Sequence, residues 1–153
     1  MAFVPAVCPP RTPAEWAAYY QLRFEVLRRP WQQPLGSEHV PADDEPGTFH
    51  ALLLADEEAA TPTALAVGML QPTGAGQGQL RFMAVAPEAA GAGLGSRIVA
   101  YLEQQARAAG LREIILHSRD SAVGFYEKHG YAVVEPSHVL FGVIPHFLMR
   151  KQL

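Results

Sequence analysis

Large apolar residues near the start of the chain repeat at helical intervals. The segment 12–15, Thr-Pro-Ala-Glu, places a capping residue, a proline at the first helical position and a glutamate three residues after the cap, which is typical of a helix start. One predicted helical face then carries Trp16, Tyr20, Phe24 and Leu27. The pattern predicts a helix over residues 13–28. A long irregular segment should follow, because six prolines and glycines interrupt residues 30–47.

From residue 48 onward the pattern changes to short apolar runs typical of strands. The runs 49–55 and 64–70 bracket a polar stretch, which predicts a hairpin. Three glycines in 73–78 predict a second turn, leading into a strand over 79–85. The remaining predicted elements are a helix over 94–109 capped by Gly110, a strand over 113–117, a helix over 121–129, and strands over 131–135 and 141–150. This order predicts one α+β domain over residues 1–153.

Composition and charge narrow the class of protein. The 153 residues are 49% hydrophobic and 18% charged, as in ordinary globular proteins. A net charge of −3 gives no electrostatic footprint for nucleic acid or an anionic membrane. No apolar run is long enough to span a bilayer, and the first ten residues lack the charged start of a signal peptide. A single cysteine, Cys8, allows no internal disulfide. We therefore expect a cytoplasmic protein without a nucleic-acid or membrane partner.

The segment 85–96, VAPEAAGAGLGS, carries the strongest chemical signal. It follows a predicted strand, opens a predicted helix and contains glycine at every second position from 91 to 95. Backbone N–H groups and the positive end of a helix dipole converge at such a turn, and no Cβ atom blocks a ligand. The pattern predicts a site for a phosphate-bearing cofactor.

Spacing argues against two nucleotide-binding designs. A Walker loop ends in Gly-Lys-Ser/Thr, whereas Gly95 is followed directly by Ser96. The dinucleotide pattern GxGxxG, begun at Gly91, would need a third glycine at position 96. It also needs an acidic residue at the end of the next strand, and Glu113 begins that strand instead.

The string V-x-P-E-x-x-G-x-G-L-G resembles the acyl-CoA loop of the GNAT (Gcn-type) N-acetyltransferases. Downstream, FYEKHGY at 125–131 resembles the FYEKxGF signature of that family. The resemblance covers residues 48–153 and implies a mixed, mostly antiparallel sheet flanked by helices, with residues 12–47 in the variable acceptor-binding region. Three further strings look like the ElaA-type branch of small bacterial acetyltransferases: LRFEVLRRP (22–30), LHSRDSAVGFYEKHGY (116–131) and IPHFLMRK (144–151).

The resemblance implies acetyl-CoA as co-substrate, with no metal. The chain departs from the family at Ala90, where Arg or Gln is usual. Loss of that side chain predicts CoA binding that is weaker by ~1 kcal/mol, which is the contribution of one hydrogen bond partly replaced by water. Tyr126 matches the tyrosine that protonates the departing thiolate in many members, and a backbone N–H of 83–85 is expected to meet the thioester oxygen. The residues expected to bind the cofactor are Met83, Ala84, Val85, Gly91, Ala92, Gly93, Leu94, Gly95, Ser96 and Tyr126.

Two histidines are candidates for the base that deprotonates the acceptor amine. His117 ends a predicted strand and His146 lies in the last one; either can take a proton near neutrality. His129 precedes a C-cap glycine and is interpreted as structural. Arg81 either binds an anionic acceptor group or only reaches solvent.

The acceptor is expected to be a small molecule with a primary amine. Its charge stays open: acidic residues at 43–45 would attract a cation, whereas Arg23, Arg28 and Arg29 favour a carboxylate or phosphate. The alternative to an enzyme is a GNAT-fold module that binds acyl-CoA without turnover. A homodimer through the last strands is common in the family.

Overall fold

A six-stranded sheet carries helices on both of its faces. The computed structural model describes residues 5–153; residues 1–4, which open the N-terminal segment considered above, lie outside the described part. In chain order the elements are α1 (Pro13–Leu27), β1 (Phe49–Leu54), β2 (Ala64–Gly74), β3 (Gln77–Val85), α2 (Leu94–Ala108), β4 (Glu113–Arg119), α3 (Val123–Lys128), β5 (Ala132–Leu140) and β6 (Ile144–Gln152). Short 3-10 turns lie at Arg29–Trp31, Pro41–Asp44, Pro87–Ala89 and Asp120–Ala122.

The strand order across the sheet is β1-β2-β3-β4-β6-β5. Neighbouring strands are antiparallel except for β3 and β4, which are parallel. A parallel pair needs a crossover connection, and α2 supplies it. The predicted α+β class, with a mixed and mostly antiparallel sheet, is confirmed.

Alternate residues of β1 show how the sheet separates two apolar layers. Ala51 and Leu53 pack with α2 on one face, while Leu52 and Leu54 pack with α1 on the other. All four side chains are at most 1% exposed. Because side chains alternate along a strand, a strand buried on both faces is continuously apolar, as residues 51–54 are.

The start of α1 is confirmed, but its buried face differs from the prediction. The Glu15 N–H donates to Thr12 Oγ1 at 3.1 Å, as expected of a cap. The predicted face, Trp16, Tyr20, Phe24 and Leu27, is only partly buried. The buried side chains of the helix include Ala18, Tyr19, Leu22 and Arg23, of which Tyr19 and Arg23 are fully buried. Neighbouring residues in the sequence do not predict a buried arginine, because its burial is tolerated only when a carboxylate pairs with it, and that carboxylate is distant along the chain.

Several strand ends also differ from the prediction. The turn between β2 and β3 is shorter than 73–78, since Gly74 pairs with Gln77 and only Ala75 and Gly76 separate them. Both turn residues have positive φ, +55° and +77°, as a tight hairpin turn requires. The strand β5 runs on to Leu140 through Pro136, which has no N–H to donate. An edge strand tolerates proline because one of its sides has no neighbouring strand to pair with.

Candidate active site

The central feature of the site is the place where β3 and β4 separate. The two strands pair only from Gln77–Leu80 with Glu113–Leu116. Beyond that point β3 continues to Val85, while β4 continues to Arg119 paired with β6 alone. A cleft of about 290 Å³ lies where they diverge.

A β-bulge in β3 explains the separation. Val67 pairs with Ala84 and Met69 with Arg81, so two residues of β3 face the single residue Gly68. One of the two, Phe82, has φ +55°, in the left-handed region. A bulge bends its strand and increases the local twist. Gly68 leaves room for this, because a Cβ there would lie 2.6 Å from the Met83 Sδ.

The bulged strand offers backbone N–H groups to the cleft. The Ala86 N–H donates to Leu65 O of β2 at 2.8 Å. Since N–H directions alternate along a strand, Ala84 also faces β2, whereas Met83 and Val85 point their N–H groups toward the opposite edge. Within residues 5–153, no strand pairs with that edge beyond Leu80.

The glycine-rich turn lies directly over the end of this strand. Gly91 and Gly93 have φ of +82° and +76°, and no atom of residues 5–153 lies within 4 Å of a Cβ built on either. At Gly95 such a Cβ would lie 3.2 Å from Phe125 and 3.5 Å from Val85. Glycine is therefore needed at 91 and 93 for backbone conformation and at 95 for close packing against Phe125 of α3, with Val85 of β3 in ordinary van der Waals contact.

The start of α2 is free to bind an anion. Gly93 caps it without a side-chain hydrogen bond, and its first turn has no acidic residue. The first N–H groups of a helix have no partner within it, and here they belong to Leu94, Gly95 and Ser96. Their direction and the helix dipole suit a phosphate. Ala90 is exposed beside them, and the nearest imidazole is that of His129, whose Nε2 lies 3.0 Å from Ser96 Oγ.

Gly91→Ala should weaken acetyl-CoA binding by about tenfold or more, because strain of about 1–2 kcal/mol at positive φ would displace the turn. Gly110→Ala is the matched control: its φ is +81°, a Cβ there also meets no described atom within 4 Å, and it lies at the other end of α2. Both variants should lose similar stability in denaturant unfolding. Calorimetry with acetyl-CoA should separate them; equal affinities would contradict the assignment of this turn.

Tyr126 lies in α3 with its side chain buried and lining the cleft. Its ring packs against Phe125 and Tyr131, with centroids 5.0 Å and 5.9 Å away. Among residues 5–153 its hydroxyl has no hydrogen-bond partner. Burial raises the pKa of Tyr126, so the phenol is protonated at neutral pH.

Three histidines line the same cleft: His117 of β4, His138 of β5 and His146 of β6. The His138 ring lies 5.3 Å from that of His117 and stacks on that of His146 at 4.6 Å between centroids. His138 is not among the predicted site residues, because the strand predicted there ends at residue 135. In the part of the chain described, no group of three or more His, Cys, Asp or Glu side chains is arranged to hold a metal ion.

Both predicted base candidates present a free ring nitrogen. The Nδ1 of His117 is buried without a hydrogen-bond partner in residues 5–153. The Nδ1–H of His146 donates to Ile144 O at 2.9 Å, which leaves its Nε2 as the lone-pair nitrogen. Burial lowers the pKa of His117, and the neighbouring His138, His146 and Arg81 lower it further. Burial also lowers the pKa of His146. Both rings are therefore neutral at pH 7.

The charged residues predicted near the acceptor divide into those that are paired or lie away from the cleft and those that line it. Asp43 is not a free carboxylate: it is buried in an ion pair with Arg23, and neither Asp44 nor Glu45 lines the cleft. Arg29 is exposed and pairs with Glu25. Of the predicted charged candidates only Arg28 and Arg81 line the cleft, together with Arg119.

Among residues 5–153, no helix has the length and apolar content that a membrane span requires.

Comparison with known proteins points to one family. The family model of the acetyltransferase (GNAT) family matches residues 16–131. The "uncharacterized N-acetyltransferase YjcF" of Bacillus subtilis (strain 168) is 36% identical over 88 residues, which cover 53% of this chain and 63% of that protein. The chain thus spans less than two thirds of this relative's length.

Solved structures share the fold. Escherichia coli ElaA superposes with a TM-score of 0.77 at 16% identity, covering 92% of both chains. An aminoglycoside 6′-N-acetyltransferase complexed with coenzyme A gives 0.77 at 17% identity, covering 95% of this chain and 96% of that one. At such identities the likeness establishes the fold alone, so the narrower ElaA-type resemblance stays a prediction.

Proposed function

Because the chain belongs to the acetyltransferase (GNAT) family, we propose that it transfers the acetyl group of acetyl-CoA to the primary amine of a small molecule. The observation that carries this proposal is that the glycine-rich turn and the unpaired edge of β3 adjoin and form one continuous path for a ligand. The phosphate-binding turn at Gly91–Ser96 packs through Gly95 onto Val85, and Val85 belongs to the unpaired edge of β3. A ligand with phosphates at one end and an extended arm fits this path. An aminoglycoside acetyltransferase of the same fold has been solved with coenzyme A.

The cofactor would be held by backbone more than by side chains. The N–H groups of Leu94, Gly95 and Ser96 would bind the pyrophosphate, with Gly91, Ala92 and Gly93 shaping the turn. Along β3 the N–H groups of Met83 and Val85 would pair with the acyl arm in place of the missing strand. One of them would lie at the thioester oxygen, where negative charge develops during acyl transfer.

The acceptor must lose a proton before it attacks. A lysine-like amine with a pKa near 10.4 needs about 4–5 kcal/mol for deprotonation at pH 7. His117 and His146 both line the cleft and are the candidates for this role; the Nε2 of His146 carries its lone pair, whereas the Nδ1 of His117 is buried inside the protein. Their neutral state at pH 7 makes each a base without prior deprotonation.

Acetyl transfer then proceeds by direct attack. The ammonium proton leaves first, through the histidine to water. The amine nitrogen then bonds to the thioester carbon, the carbon–sulfur bond breaks, and the histidine takes the second amine proton. The departing thiolate takes a proton from the Tyr126 hydroxyl, and the proton on the histidine returns through water to the phenolate, so both side chains end as they began. Burial that raises the pKa of Tyr126 raises that of a thiol in the same site, since both anions lose hydration. The donor and the leaving group therefore stay matched.

The histidine role has a pH signature. A base whose pKa lies below the ordinary 6.5 is deprotonated above that value, so kcat/KM should fall only as the pH is lowered below about 6.5, which is the acid limb of the profile. His117→Gln or His146→Gln, whichever removes the base, should lower kcat about 100-fold and abolish that limb. His39→Gln, which removes an imidazole stacked on Tyr20 outside the cleft, should leave the profile unchanged. An intact profile in both cleft variants, and in their double variant, would contradict a histidine base.

The test of the proposed activity is thiol release. Purified protein, acetyl-CoA and amines of different charge would be followed with a thiol reagent, with calorimetric titration of acetyl-CoA in parallel. We expect micromolar-to-millimolar binding and amine-dependent release. Binding without release on any amine would favour the alternative, an acyl-CoA-binding module. The homodimer, the cytoplasmic location and the division into an acceptor-binding region (12–47) and an acyl-CoA-binding core (48–153) remain predictions.

A further inference from the structure

We propose that the acceptor amine also carries an anionic group, a carboxylate or a phosphate, and that Arg28, Arg81 and Arg119 bind it. This inference rests on the proposed acetyl transfer and concerns the acceptor end of the same cleft. It selects between the two charges that the sequence left open.

The charged side chains that line the cleft are all positive. Three arginines line it beside the neutral His117 and His146, and among residues 5–153 no aspartate or glutamate does. The ion pairs found in that part of the chain join other arginines and a lysine to carboxylates, and none involves Arg28, Arg81 or Arg119. Cationic side chains collected in a concave site without carboxylates attract anions.

The three guanidinium groups keep donors available. Arg28 donates only to the backbone oxygens of Ser37 and Leu27, each at 3.0 Å. Arg81 donates to the Gln71 amide oxygen at 3.2 Å, and the Arg119 guanidinium has no hydrogen bond to residues 5–153. A guanidinium has five N–H donors. None of the unused donors of these three belongs to the buried, unpartnered polar atoms, so they are open to solvent or a ligand.

Aromatic rings hold these cations in place. The Arg28 and Arg81 guanidinium carbons lie 5.3 Å and 5.1 Å from the centre of the Phe82 ring. That of Arg119 lies 5.3 Å from the Trp31 ring. Phe82 and Trp31 themselves line the cleft. A guanidinium stacked on a ring is pre-positioned for two-point binding of a planar carboxylate or a phosphate.

The cofactor phosphates do not account for these arginines. The proposed phosphate-binding turn at 91–96 contributes no residue to the lining of this cavity. The arginines lie beside the histidines instead: Arg119 pairs in register with His146, and Arg81 is one of the charges that lower the pKa of His117. The exposed Asp120 is the nearby opposite charge at His146.

An anionic group on the acceptor would let it bind in a form that can react. The three arginines repel an ammonium ion but favour the neutral amine, which is the form that attacks. An acceptor that carried only a positive charge would gain no binding energy from these arginines. An amine with a second, anionic group would bind through that group and lose its proton more easily.

The test uses acetylated products, whose binding needs no turnover. Calorimetry in the presence of coenzyme A would compare N-acetylphenylalanine with N-acetylphenylalaninamide, and O-phospho-N-acetylethanolamine with N-acetylethanolamine. The aromatic probe suits Trp31 and Phe82. The anionic member of at least one pair should bind at least tenfold more tightly, and the pair that shows this identifies carboxylate or phosphate.

Arg81→Gln and Arg119→Gln should each reduce that ratio at least threefold, while Arg29→Gln, whose side chain is exposed and outside the cleft, should not. Equal binding within both pairs, tighter binding of the uncharged members, or no binding of any product would overturn the proposal. A ratio unmoved by both cleft variants would overturn it as well. Failure of acetyl transfer itself would appear separately, as acetyl-CoA binding without thiol release on any amine.

Discussion

Arg23→Leu is expected to lower the free energy of unfolding by about 3–5 kcal/mol, because it leaves a buried carboxylate without its partner. Arg23 is fully buried, and its Nη1 lies 3.0 Å from both carboxylate oxygens of Asp43. Its Nη2 donates to the Tyr19 hydroxyl at 2.7 Å, and that oxygen lies 2.9 Å from His50 Nδ1. The arginine thus joins α1, the irregular segment and β1. Urea unfolding measures the loss.

Arg29→Leu is the matched control on the same side of the molecule. Arg29 makes an exposed ion pair with Glu25, with side chains 64% and 40% exposed, and such pairs contribute at most about 1 kcal/mol. Arg23→Leu combined with Asp43→Leu should recover part of the stability, since no uncompensated charge remains. A loss below about 1 kcal/mol for Arg23→Leu alone would show that the pair is not a principal support of α1.

The same arginine supports the active site. Its guanidinium carbon lies 4.1 Å from the centre of the Phe82 ring. Phe82 is the residue of the bulge with positive φ. The bulge bends β3 away from β4, so the ion pair and the cleft are parts of one arrangement.

Tyr126→Phe is expected to lower kcat by about 100-fold or more, the range that a positioned proton donor contributes. The affinity for acetyl-CoA should change by less than about threefold, because the hydroxyl has no hydrogen bond within residues 5–153 and the ring is kept. For the same reason the unfolding free energy should change by less than about 0.5 kcal/mol, the range of substitutions that remove no structural contact. Steady-state thiol release and calorimetry separate these quantities.

Tyr101→Phe is the control for this substitution. Tyr101 is partly buried and, like Tyr126, lacks a side-chain hydrogen bond within the described residues, but it lies on α2 outside the cleft. Its kcat should match that of the wild type. An unchanged kcat in Tyr126→Phe would mean that the thiolate leaves unprotonated or takes its proton from water.

Local signals were sufficient for much of this architecture. Thr12, Gly110 and the apolar runs predict helix ends and strands from neighbouring residues alone, and the structure agrees within a few residues. The glycines at 91, 93 and 95 likewise predict a turn opening a helix, since their conformations and spacing are local properties. The family resemblance of this turn and of residues 125–131 is confirmed by the family match over 16–131.

Features that depend on distant partners were not predictable in this way. The burial of Arg23 depends on Asp43, twenty residues away. The bulge at Phe82 depends on Gly68 and on the packing of Ile98, which a Cβ on Gly68 would approach to 2.6 Å. His138 reaches the cleft only because β5 shifts register against β6 between Pro136 and Val139. Each of these determines the site, and none leaves a pattern in neighbouring positions.

The most direct measurement of the central claim is amide hydrogen exchange along β3 with and without acetyl-CoA. We expect acetyl-CoA to slow exchange at Val85, and at Met83 to a similar degree, together with the first turn of α2. Ala84 and Ala86, whose N–H groups already bond to β2, should exchange slowly in both states. Unchanged exchange at Val85 and at 94–96 in saturating acetyl-CoA would contradict the account of where this chain holds its acetyl donor.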